Sequence, residues 1–235
     1  MLMVLALWLA CFPDAAIAGT KWGLSLDFSS ISTSVSDGGV DSKFSGTVLP
    51  ELRPEIQWDL AEGQEQLKVW LQATRFQFDE GTKTLVNNGQ FFFGGGVSWG
   101  RYFTPGSLSI GLVFAQRPVW VSEGVNAWNL SKNILVGLPV EARTKLVVLE
   151  GEWIGAGVKI TPLLLGINRS GSGYSAGAFL EYETRALREV GVRLFYEIRE
   201  MTFSNLGQSD VVIGISGRLS FNDVLSDSVP MDERE

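Results

Sequence analysis

Asp210–Phe221 reads DVVIGISGRLSF. Val211, Ile213, Ile215, Leu219 and Phe221 fall on one parity, and Gly214, Ser216, Arg218 and Ser220 on the other. Strict alternation is the mark of a β-strand with one apolar face. Upstream, Glu189–Arg199 (EVGVRLFYEIR) repeats the pattern, with Val190, Val192, Leu194, Tyr196 and Ile198 opposite Arg193, Glu197 and Arg199. Leu187, Val190, Leu194, Ile198 and Met201 also fit helical spacing, but Gly191 and the β-branched Val190 and Val192 favour a strand.

The same rhythm extends through the chain. In Lys21–Ser29, Trp22, Leu24, Leu26 and Phe28 share one face and Lys21, Gly23, Ser25 and Asp27 the other. Tyr174–Thr184 alternates Ala176, Ala178, Leu180 and Tyr182 with Glu181 and Glu183. Gln66–Asp79, Gln90–Phe103, Ser107–Trp120, Lys145–Ile154 and Gly157–Ile167 read as strands with weaker alternation, and Val125–Val140 alternates poorly. Turn signals separate these runs at Asp37-Gly38-Gly39, Glu80-Gly81, Thr104-Pro105-Gly106, Ser122-Glu123-Gly124, 168–173, Ala186–Arg188 and Ser204–Ser209.

Composition narrows the function. There are 19 Lys+Arg against 26 Asp+Glu, a net charge of −7, which argues against a nucleic-acid partner. The chain has no His, and its single Cys is Cys11. Residues 1–18 pair an apolar run, Met1–Phe12, with a small-residue pattern at Ala16-Ile17-Ala18, and read as a secretory signal peptide cut after Ala18. Without Cys11 no disulfide can form, so the fold must rest on burial and backbone pairing. Residues 222–235 hold five acids and one Arg, and read as a disordered acidic tail exposed to the periplasm.

Alternation alone does not say whether the apolar face meets a protein core or lipid. Four features favour lipid. The chain reads as exported. Its strands run about 10–15 residues, enough for a tilted crossing of a bilayer. The polar face is built of Gly, Ser and potential ion pairs, which suit a lumen. Trp22, Trp99, Phe103, Trp120 and Phe221 fall near strand ends, where an aromatic belt would sit. The expected fold is therefore all-β: a transmembrane antiparallel up-and-down β-barrel over residues 19–221, with 8–12 strands and ten the best number.

In this pattern the chain resembles the small Gram-negative outer-membrane β-barrels of the outer-membrane protein A and W type. VVIGISGRLSF, ending at Phe221, resembles their closing strand. The resemblance implies a place in the cell outer membrane, outer-membrane lipid as surroundings, and the barrel assembly machinery as a partner during biogenesis.

Tight hairpins would set polar residues against one another inside such a barrel. A turn near Leu187 puts Glu181 opposite Arg193. A turn at Gly155–Ala156 would put Glu152 opposite Lys159. The closing hairpin would bring Arg218 diagonal to Glu197, with Arg199 nearby. Together these form an expected lumen charge network in a bore too narrow for an open aqueous channel.

Catalysis is not expected, since Ser–His and Cys–His arrangements have no His to draw on. No cofactor or metal site is expected either. Gly94–Gly96 and the glycines of 171–177 lack the strand-then-helix setting of a phosphate cradle. Asp37 and Asp41 offer too few ligands for Ca²⁺. The leading expectation is a structural or surface-interaction barrel. The alternatives are a narrow solute channel and a soluble exported barrel binding an apolar ligand.

Overall fold

The computed structural model describes residues 17–60, 64–79, 84–87, 89–124, 127–149, 152–166, 170–184 and 189–222. Most of the expected signal peptide, the turn at Ala186–Arg188 and nearly all of the acidic tail lie outside them. Twelve strands are present among the described residues. They are β1 (Ile17–Asp37), β2 (Val40–Leu60), β3 (Glu65–Phe78), β4 (Thr84–Val86), β5 (Gly89–Phe103) and β6 (Gly106–Ser122). After these come β7 (Ala127–Gly137), β8 (Val140–Leu149), β9 (Glu152–Gly166), β10 (Ser172–Thr184), β11 (Glu189–Phe203) and β12 (Leu206–Asn222).

Apart from β4, the strands pair antiparallel in an up-and-down order, and β1 closes the ring against β12 over Lys21↔Asn222 to Asp37↔Leu206. The end of β7, Leu135–Gly137, and β8 form one wall strand. Val113↔Gly137 and Ile110↔Val140 continue a single register on β6, interrupted only at Leu138 and Pro139. With β4 set aside as a short strand off the wall, the barrel has ten strands. This matches the expected number and resolves the weak alternation of Val125–Val140: the end of that stretch, from Leu135, and residues 145–149 belong to the same wall strand. β8 and β9 pair as far as Leu149↔Glu152, so Gly155–Ala156 lies within β9 and is not a turn.

The wall turns its apolar face outward. Leu194 is 55% exposed and Ile215 44%, while Arg199 is buried and Arg193 and Glu197 are half-buried in the interior. An exposed stripe of this kind, repeated round the barrel, needs lipid, because water would leave it unburied. That orientation sets aside a soluble barrel with an apolar interior.

Polarity changes along the strands without any change of face. On β1, outward Trp22, Leu24, Leu26 and Phe28 give way to outward Ser30, Ser32, Ser34 and Ser36. On the same strand, inward Ser25 and Asp27 give way to Ile31, Thr33 and Val35. β11 behaves alike: outward Leu194 and Tyr196 are followed by Glu200 and Thr202, and inward Arg193 and Glu197 by Met201 and Phe203. One half of the barrel thus follows the membrane rule and the other the rule of a protein in water. The boundary lies near Ser30. We call the end bearing Lys21 and Asn222 the near end, and the end bearing Gly38 and Ser204 the far end.

Candidate functional site: the lumen

The far half of the lumen is filled by part of the chain itself. β5 and β6 pair from Phe103↔Gly106 up to Gly94↔Ala115 and then separate. Continued in register, Pro118 would face Phe91, and proline has no N–H to give a ladder. At the point of separation the Phe93 N–H donates instead to Gln116 Oε1 at 3.2 Å. Beyond it the hairpin of β6 and β7 leaves the wall and crosses the lumen mouth.

Side chains from the opposite wall receive it. The Trp120 N–H donates to Gln208 Oε1 (3.1 Å), and Gln208 Nε2 donates to the Pro118 carbonyl (3.0 Å). The Ser122 N–H donates to Asp37 Oδ2 (2.9 Å). On the hairpin's other edge Gln90 Nε2 donates to the Leu130 carbonyl (2.8 Å), and β4 pairs in parallel with Ala127–Asn129. Backbone groups on both edges of the inward hairpin thus find partners, as a buried polar backbone demands.

Aromatic packing completes the closure. Trp120 stacks on Phe44 and meets Phe78 edge-on at 4.9 Å, Trp128 meets Phe44 edge-on at 5.5 Å, and Phe76 meets Phe92 at 5.0 Å. Trp120 and Trp128 are fully buried. Trp120 therefore belongs to this plug and not to the expected belt: its position near a strand end lies on the hairpin that turned inward. Trp22 and Phe221 are exposed register partners on the wall at the near end, joined there by exposed Phe103 and by half-buried Trp99, whose Nε1 donates to Glu65 Oε2 at 3.3 Å.

The near half of the lumen is ionic. Glu181 stands opposite Arg193 in register, with Arg193 Nη2 2.7 Å from its Oε2. Arg143 reaches the same carboxylate at 3.8 Å and also pairs with Glu141. Arg199 forks onto Glu197 with bonds of 2.9 and 3.1 Å. Two expected contacts are not made. Lys159 faces Glu141, not Glu152, because β8 and β9 pair through Leu149↔Glu152; Glu152 also pairs in register with Thr184. Arg218 lies opposite Gly191, not diagonal to Glu197, and its Nη2 reaches Glu55 Oε1 at 2.7 Å. The register shift between Leu49 and Leu52 sends Glu51, Arg53 and Glu55 inward, a consequence of a β-bulge that alternation along one strand does not reveal.

These ions divide the remaining space. A vestibule of about 840 Å³ is bordered by near-end residues, among them Lys21, Asp59, Tyr102 and Arg218. Behind it lie two cavities of about 90 and 140 Å³. The first is bordered by six cations, Arg53, Lys68, Arg143, Lys159, Arg193 and Arg218, and by four carboxylates, Glu55, Glu141, Glu181 and Glu183. Arg53, Glu141, Lys159 and Arg193 border both cavities and form the septum between them.

No family model matches the sequence, and comparison with curated proteins finds no relative. Solved structures do share its architecture. The outer-membrane protease OmpT of Escherichia coli matches with a TM-score of 0.52 at 9% identity, over 89% of this chain and 98% of that one. The β-domain of the Bordetella autotransporter BrkA matches at 0.48 and 11% identity, over 89% and 99%. An outer-membrane channel of Pseudomonas putida F1 matches at 0.45 and 9% identity, over 88% and 97%. The fold is that of the Gram-negative outer-membrane β-barrels.

Proposed function

We propose that this chain is an integral outer-membrane barrel, closed at rest, that serves the envelope as a structural and surface-interaction element. The inward hairpin carries this reading: a lumen sealed at one mouth by buried Trp120 and Trp128 is built to hold shape, not to pass solute. The polar collar of β1 and β2 beyond Ser30 supplies a water-facing surface for partners. At the far end β3 stops at Phe78 and β5 starts only at Gly89, a longer interval than the hairpins of the near end, so the collar faces outward from the cell. Outer-membrane lipid surrounds the apolar band, and the assembly machinery reads the closing strand. An enzymatic role is not part of this reading, because Glu55, Glu141, Glu181 and Glu197 are engaged by Arg or Lys and the chain has no His.

Planar-bilayer recording tests it. The folded protein is expected to give no defined current steps, and steady conductance from the intact chain would overturn the proposal in favour of a narrow channel. That second reading is favoured by one observation, the vestibule standing in line with two further cavities.

A further inference from the structure

Positive charge is in excess around the first lumen cavity, although the chain as a whole is acidic. Three of its four carboxylates are already shared. Glu55 is divided between Arg218 and Lys68 (3.7 Å), Glu181 between Arg193 and Arg143, and Glu141 between Arg143 and Arg193 (4.0 Å). Neither Arg53 nor Lys159 makes an ion pair within 4.0 Å among the described residues; the carboxylates that act on them, Asp27, Glu51, Glu55 and Glu141 on Arg53 and Glu141 and Glu197 on Lys159, do so from farther away. The Nε atoms of Arg53 and Arg218 are buried and meet no acceptor. Cations enclosed by a lipid-jacketed wall are costly unless an anion answers them.

We propose that the septum is a binding site for a small oxyanion, held by Arg53, Lys159 and Arg193 and entered from the basic vestibule. The ligand is an inorganic oxyanion such as phosphate, or the carboxylate of a small solute; both present the paired oxygens that guanidinium forks grip. This inference does not depend on whether the barrel conducts.

The experiment is thermal unfolding of the detergent-folded full chain, followed by heat-modifiable gel mobility. Phosphate, acetate or the bulky anion gluconate is supplied at matched ionic strength, and titration calorimetry runs in parallel. Phosphate is expected to raise the unfolding midpoint saturably over gluconate, with one site per chain in the calorimeter. An equal response to acetate assigns the site to carboxylates as well, and its absence to inorganic oxyanions alone. Lys159→Met should abolish the response and Lys159→Arg should retain it. The proposal is overturned if the native chain shows no saturable binding of either anion, or if Lys159→Met responds as the native chain does. Should Lys159→Met fail to fold, the calorimetry of the native chain and of Lys159→Arg decides alone.

Discussion

Phe44 and Trp120 stack with ring centroids 4.3 Å apart and planes inclined by 21°, although one belongs to the wall strand β2 and the other to a hairpin that has left the wall. The contact joins the hairpin to the far half of the lumen. It belongs to one buried cluster with Phe76, Phe78, Phe92, Trp128 and Phe203.

Removing that contact should loosen the closure. Trp120→Ala is expected to cost about 3–5 kcal/mol, the usual range for deleting a buried large aromatic side chain. It should lower the temperature at which the compact gel band converts to the unfolded one. In planar bilayers the variant is expected to show brief current events where the native chain shows none. An unshifted conversion temperature would mean that the hairpin does not depend on its aromatic anchor.

The ion cluster at Glu55 makes a second test. Its side chain is 2% exposed and answers both Arg218 and Lys68. Glu55→Gln leaves two half-buried cations without their anion, and the loss should be appreciable but below the about 3–5 kcal/mol of a fully buried pair. Glu55→Gln combined with Lys68→Met should recover part of that loss. Urea unfolding of the folded protein in detergent measures both.

Strand register is open to direct chemical proof. Glu141 and Lys159 are cross-strand partners, and such residues lie about 4.5–5.5 Å apart at Cα, within reach of a disulfide. With Cys11 replaced by Ser, Glu141→Cys with Lys159→Cys should cross-link on oxidation. Glu152→Cys with Lys159→Cys should not. The opposite result would restore a turn at Gly155–Ala156.

The change of polarity near Ser30 predicts a sharp difference between two outward positions. Leu194→Arg on the apolar band should cost about 2–4 kcal/mol if it lies near the bilayer midplane. Ser32→Arg, outward on the collar, should cost almost nothing. Folding yield and stability in lipid vesicles compare the two; equal penalties would place the collar in the bilayer.

Strand identity, facing and barrel class were legible because alternation is local: Leu194 and Arg193 point to opposite sides whatever else the chain does. The pairing of Glu181 with Arg193 was equally legible, since the turn between their strands is short. Lys159 and Arg218 were not, because their neighbours depend on where distant turns fall. A shift of a single residue exchanges every partner. Nor does alternation reveal the bulge that turns Arg53 and Glu55 inward, or the swap of polarity on β1.

By itself, then, the sequence determined an antiparallel barrel with ions inside and a greasy band outside, through side-chain periodicity that each strand carries alone. Only the tertiary structure decided that Trp120 would leave the wall to close the lumen. That outcome rests on groups far apart in the chain: Pro118 cannot continue the ladder with β5, and Gln208, Asp37 and Phe44 wait across the bore to receive the hairpin.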